Sequence, residues 1–441
     1  MLTDEPPGRS ALAVAPTTAP LVRFGRSGME SRAVTLMTSS IVTGILGVAY
    51  WVVAGRLYPT AEVGRASATI STATMLSSLA CLSLGGSYQR FLPVAGDRTR
   101  RLVVGGFLLA GVVAAILGLG FVSFGVGRDE LFQHGMERLL FPVLVVVLAG
   151  YALLDPILTG LRRVRVVAVK NISLSVLKII PLPLLAFAAS DLAMTGTWLL
   201  LAAGITIGIV GWLLRDGLTA SDGVAPALPP ARQIWAFQGA SLAMSLVVTL
   251  TPLCLPLVVL SQLGPESSAY YNLAAALGTA AGMLRANVIA SYVVDASAPD
   301  AARAALTRRM IRLMAAVAGI CAAGLALGGP VLLWLVGGEY LAAATPLVLL
   351  LAGETLLAVV TAAYAGVVQV RRRLRLLVAV QTSMVMVTIG GAMLLVPTYG
   401  LAGVGLAMVA AQATAAAVVA VPLVREVRLL TATGTGAGGP R

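Results

Sequence analysis

Long apolar runs, separated by short stretches that hold Arg, Asp, Gly or Pro, make up most of this chain. About twenty consecutive apolar residues span a bilayer as a helix, and inside lipid the backbone must satisfy its own hydrogen bonds. The runs therefore predict membrane helices. Read between their punctuation, they fall near 33–55, 66–92, 102–124, 139–161, 166–189 and 193–214, then 234–260, 270–293, 310–335, 345–368, 374–396 and 401–424. The strict apolar/polar alternation of a membrane β-barrel is absent.

The pattern occurs twice. Val52-Val53 through Leu57 and Pro59 match Val258-Val259 through Leu263 and Pro265, an offset of 206 residues. The same offset lays Gly160 over Gly366, and after a short insertion at Arg372 and Arg373 it becomes 209, placing Leu192-Ala193 and Gly196 on Leu401-Ala402 and Gly405. A unit of six spans begins and ends on one side of the membrane, so its two copies are parallel repeats. The expected fold is all-α: a polytopic membrane protein of about twelve transmembrane helices, in two parallel six-helix repeats forming a two-lobed bundle. Its expected parts are a tail over 1–30, a lobe over 31–215, a linker over 216–232, a second lobe over 233–424 and a tail over 425–441.

Composition agrees with a membrane protein. Mean hydropathy is +0.93, and 11% of residues are charged, against roughly 25% in soluble domains. The net charge of +13 could suggest a nucleic-acid partner, but the basic residues sit in short clusters at span ends. One side collects Arg98, Arg100 and Arg101, Arg162, Arg163 and Arg165, Arg215 and Arg232, Arg303, Arg308, Arg309 and Arg312, then Arg371 to Arg373 and Arg375. The other holds Arg56, Arg65, Arg128 and Arg138. By the positive-inside rule both termini are expected in the cytoplasm. The first apolar run follows Arg23, Arg26 and Arg32 and lacks a cleavage site, so it reads as a retained span and not a signal peptide. Cys81, Cys254 and Cys321 lie within apolar runs without ligand spacing and read as packing residues, and His134 reads as part of a solvated loop.

The turns carry a resemblance. Arg56-Leu57-Tyr58-Pro59 with Val63-Gly64, Leu84-Gly85, Tyr88-Gln89-Arg90-Phe91-Leu92-Pro93, and Pro397-Thr398-Tyr399-Gly400-Leu401-Ala402-Gly403 resemble bacterial polysaccharide transporters. These form the O-antigen and teichoic-acid flippase-like branch of the multidrug/oligosaccharidyl-lipid/polysaccharide (MOP) exporter superfamily. The resemblance implies a V-shaped bundle in which spans 1, 2, 7 and 8 face a central cavity that opens alternately to the two leaflets. It also implies a polyprenyl-diphosphate-linked oligosaccharide as cargo. Related lipid-II flippases usually carry fourteen spans, so a peptidoglycan-precursor role is less supported.

Ionisable side chains inside spans are costly and need a partner or a task. Arg285 lies roughly 12 Å inside span 8, at 1.5 Å per residue, with Gly278 and Gly282 on its helical face. Guanidinium suits bidentate diphosphate contact, which makes Arg285 the first cargo-binding candidate; the alternative is a structural Arg that caps backbone carbonyls of a neighbouring span. Gln89 and Arg90, at the inner end of span 2, are candidates for collecting the diphosphate, with membrane anchoring as the alternative. Lys178 in span 5 is a further cargo candidate or a buried amine paired with a neighbouring polar group. Asp155 and Lys170 share a depth that favours an ion pair over a proton relay. Glu354 in span 10 has no evident partner and, with Asp155, is a candidate for coupling to a proton or sodium gradient.

No Ser/His/Asp set, HExxH spacing or phosphate-binding Gly loop is present, so no catalytic residue is assigned and no cofactor or metal is expected. An integral-membrane glycosyltransferase or ligase is the enzyme alternative, weakened by short loops. A multidrug or metabolite antiporter of the same superfamily is the transport alternative; it should carry acids in its chamber, where this chain places Arg90 and Arg285. A membrane scaffold is a third. The expected setting is the cytoplasmic membrane, with the bilayer, a lipid-linked oligosaccharide and polysaccharide assembly proteins as partners, and no nucleic acid.

Overall fold

The structure, a computed structural model, describes residues 26–81, 84–125, 128–133, 135–188, 190–217, 231–296, 303–371 and 375–435. The expected N-terminal tail up to residue 25, His134, most of the linker and the insertion at Arg372 and Arg373 lie outside them. The described elements are helices: α1 (Arg26–Leu57), α2 (Thr60–Ala80), α3 (Leu84–Phe91), α4 (Thr99–Phe124), α5 (Arg128–Leu131), α6 (Gly135–Gly160), α7 (Val164–Leu177), α8 (Pro181–Leu185), α9 (Asp191–Trp212), α10 (Ala231–Ala296), α11 (Arg303–Ala323), α12 (Gly329–Val336), α13 (Gly338–Arg371), α14 (Arg375–Tyr399) and α15 (Leu401–Thr435).

Each of the twelve predicted runs falls on these helices. Among the described residues nine helical stretches are long and apolar enough to cross a membrane, and the bent α2/α3 pair makes a tenth. The helices are less continuous than the sequence suggests. Span 2 bends by 52° between α2 and α3. Span 5 breaks at Lys178, because Pro181 has no N–H to offer the carbonyl four residues before it. Conversely, the turn expected between spans 7 and 8 shrinks to a kink in α10 at Gly264 (φ 83°). That left-handed geometry favours glycine, and Pro265 comes next, where a new helix tolerates a missing donor.

Packing repeats as the sequence does. In the first half, α1 packs on α7, and α6 receives α2, α4 and α9. In the second, α10 packs on α14, and α13 receives α10, α11 and α15. Several pairings thus recur in the two halves, whereas α14 packs closely along α15 and its counterpart α7 barely meets α9. Matched residues take matched places: a Cβ on Gly160 would press on the backbone of Tyr88, and one on Gly366 would meet Tyr292 and Met310. Both tyrosines then tie their helix to the next, Tyr88 donating to the Leu102 carbonyl at 2.9 Å and Tyr292 sharing a 2.8 Å hydrogen bond with Thr307. The halves meet mainly along α2 and α10, where Gly64 lies so close to the Pro265 carbonyl that no side chain fits.

Candidate functional site

Arg285 sits on the arm of α10 after Gly264, and its guanidinium faces α13. Its Nη2 lies 3.9 Å from Oε2 of Glu354, with the two side chains 14% and 15% exposed. Glu354 is thus no isolated acid; the sequence could not reveal the pair because its members lie on different helices of the second half. The contact is loose, and Nη1 of Arg285 is buried without an acceptor. A Cβ on Gly282 would lie 3.9 Å from Nη2 and one on Gly278 would touch Leu351 of α13. The two glycines therefore leave room for the guanidinium and for close approach of α13.

Asp155 and Lys170 form the expected ion pair at 2.8 Å. Lys170 Nζ also donates to the Tyr151 carbonyl at 3.0 Å and rests 3.4 Å from the Tyr151 ring centroid. Asn171 donates to Asp155 at 3.3 Å and accepts from the Tyr151 hydroxyl at 2.9 Å. Donors and acceptors are matched throughout, as in a structural lock between α6 and α7.

Lys178 is arranged differently. Its ammonium is buried between two rings, 4.4 Å from the centroid of Trp198 and 5.0 Å from that of Tyr50. No carboxylate pairs with it among the described residues. The Tyr50 hydroxyl and the Trp198 indole N–H are buried beside it and face each other. The rings replace some of the hydration lost on burial through cation–π attraction.

A cavity of about 630 Å³ opens between α1 and α10. Gly44, Ile45, Val48, Ala49 and Val52 form one wall, Leu277, Ala280, Met283, Leu284 and Asn287 the other, and Leu332 of α12 one end. Leu284 and Asn287 also border a second cavity of about 330 Å³ against α11, at whose mouth stands Arg309. Arg285 adjoins this strip of α10 without lining it. Gln89 and Arg90 are exposed on α3, with the Arg90 guanidinium 5.5 Å from the Phe91 ring centroid. The structure therefore joins Arg285 with Glu354 and Asp155 with Lys170, and leaves Arg90, Gln89 and Lys178 apart from these pairs.

A further charged group went unread in the sequence. Arg65, counted there only among the arginines of the less basic side, is buried in α2, pairs with Glu62 and lies 3.9 Å from Asp191 of α9. Glu62 also accepts the Asp191 backbone N–H at 2.9 Å. The spacing of Glu62 and Arg65 on one helical turn was the available signal; the arrival of Asp191 was not. Among the described residues no three His, Cys, Asp or Glu side chains gather to hold a metal ion.

No protein-family model and no curated protein matches the chain. Solved structures do. An inward-facing multidrug resistance MATE family transporter of the MOP superfamily aligns with a TM-score of 0.66 at 15% identity, covering 90% of this chain and 99% of that one. The MATE multidrug transporter DinF-BH gives 0.62 at 15% identity, over 91% and 95% of the two chains. The lipid II flippase MurJ in an inward closed conformation gives 0.62 at 12% identity, over 91% and 90%. At such identities the likeness is one of fold: the chain has the all-helical fold of MOP-superfamily transporters.

Proposed function

We propose that this chain, folded like those transporters, moves a polyprenyl-diphosphate-linked oligosaccharide across the cytoplasmic membrane by alternating access, in the service of polysaccharide assembly. One observation carries the reading. Arg285 holds a guanidinium inside a membrane helix, beside the strip of α10 that walls the cavity against α1, with one carboxylate at the edge of contact and a buried donor unused. Unused guanidinium donors suit an anion with several oxygens, and a diphosphate offers them in a fork-compatible arrangement. The apolar cavity walls suit a prenyl chain, with Asn287 the main polar contact.

In this reading Arg285 binds the diphosphate, Arg90 and Gln89 collect it at the cytoplasmic leaflet, and Lys178 supplies a second positive charge along the path. The drive is a proton or sodium gradient. Glu354 serves it better than Asp155, whose oxygens are already engaged by Lys170 and Asn171.

Reconstituted vesicles test the assignment. Arg285→Ala should lower affinity for lipid-linked oligosaccharide by roughly tenfold or more, since a charge-assisted contact contributes ~1.5–3 kcal/mol. Arg285→Lys should restore part of it, keeping charge while losing the planar fork. Equal flipping by wild type and both variants, at subsaturating cargo and matched folded protein, would remove Arg285 from the transport site. Export of an organic cation dye by the same vesicles, without flipping, would instead support the antiporter reading suggested by the MATE neighbours.

A further inference from the structure

We propose that Arg285 changes partners when cargo binds: the anion takes the guanidinium from Glu354, and the released carboxylate takes up one proton. Anion binding and proton uptake are then one event. This rests on the reading that Arg285 meets an anionic cargo, and adds to it the identity of the coupling ion and the residue that carries it.

The geometry supplies both halves of the exchange. A separation of 3.9 Å is at the limit of direct ion pairing, and both side chains keep about one-seventh of their surface exposed. The pair is reachable and not locked. Nη1 of Arg285 is buried without an acceptor, so turning the guanidinium away from Glu354 toward an anion gives up no other hydrogen bond at that nitrogen. The Asp155–Lys170 pair, by contrast, is closer and its lysine side chain is fully enclosed.

The surroundings of Glu354 dictate its fate on release. From α10 it faces Arg285, and from α11 the ionisable group beside the same guanidinium is the Cys321 thiol. α12 carries no charged residue, α14 carries none after Arg375, and α15 carries none before Arg425. α11 also carries Arg303, Arg308, Arg309 and Arg312, all in its first ten residues, nine or more positions before Cys321, and among the described residues Arg285 is the cation that pairs with Glu354. An ionised carboxylate left unpaired inside a membrane protein costs several kcal/mol, and taking a proton avoids that cost. The proton comes from the aqueous phase and bonds to a carboxylate oxygen. It leaves again when cargo departs and Arg285 returns. One of the cargo's negative charges is thus offset by a positive charge taken up with it.

Binding of farnesyl diphosphate to the purified full-length protein in nanodiscs, measured by titration calorimetry in buffers of differing ionisation enthalpy, counts the protons taken up per anion bound. Wild type should take up close to one proton more than Glu354→Gln, a difference that cancels the diphosphate's own titration. Glu354→Gln should also bind about tenfold more tightly, because the competitor for a contact of this strength is gone. Glu354→Asp should keep the proton uptake, and guards against a Gln variant that fails to fold. Equal proton uptake by wild type and Glu354→Gln, or sodium-dependent binding without proton uptake, would overturn the exchange while leaving anion binding intact. Failure of wild type to bind the probe, or equal binding by Arg285→Ala, would overturn the underlying anion reading instead.

Discussion

At the scale of single residues, charges inside this bundle divide by how completely they are matched. Lys170 is held by Asp155, a backbone carbonyl and the face of Tyr151, so its contribution is structural. Lys170→Met should leave Asp155 with only Asn171 and, because the Asp155 side chain is 39% exposed and partly solvated, cost about 1–2 kcal/mol. A lowered unfolding midpoint in detergent, with transport per folded molecule unchanged, is the expected result. The double variant Lys170→Met/Asp155→Leu should recover much of that loss, because apolar replacements remove both the charge and the need for a partner. Arg285 is matched by one loose contact, so its loss should show in cargo affinity ahead of stability. Lys178 lies between these cases: the attraction of two rings is about 0.5–2 kcal/mol each at most, less than a buried ion pair supplies.

Individual helices are shaped by a few backbone facts. α10 is interrupted at the boundary of two spans, where Gly264 takes a positive φ and Pro265 restarts the helix. Gly264→Ala should cost about 1–2 kcal/mol from the left-handed backbone alone, since nothing crowds the position. Gly64→Ala is predicted to be worse although its φ is ordinary, because the new methyl would overlap the Pro265 carbonyl and force α2 from α10. Melting temperatures of the two variants in one detergent should rank wild type above Gly264→Ala and Gly264→Ala above Gly64→Ala. The opposite order would mean that the α2–α10 contact is softer than its geometry indicates.

For the whole molecule, α6 in the first half and α13 in the second each gather several helices of their own half around them. The even number of spans per copy expected from the sequence would bring the Arg-rich helix ends to one face. With Cys81, Cys254 and Cys321 replaced, single cysteines introduced near Arg163 and Arg373 should react with a membrane-impermeant reagent only from the cytoplasmic side, and one near Arg128 only from outside. Labelling at Arg163 from outside would reverse the orientation read from charge.

Periodicity and punctuation were enough to reveal the apolar helices and the all-α fold, because a bilayer lets a chain satisfy its backbone in few ways and marks each crossing with about twenty apolar residues. The Asp155–Lys170 pair was legible for a related reason: its members lie on consecutive spans joined by a short turn, so depth along each helix nearly fixes their meeting. Arg285 with Glu354, Arg65 with Asp191, and Lys178 between Tyr50 and Trp198 were not legible. Those contacts join helices distant in the chain, and they depend on rotation about each helix axis and on where α7 and α10 break or bend. Neither is written in the spacing of apolar residues; both arise from how side chains of neighbouring helices fill the space between them.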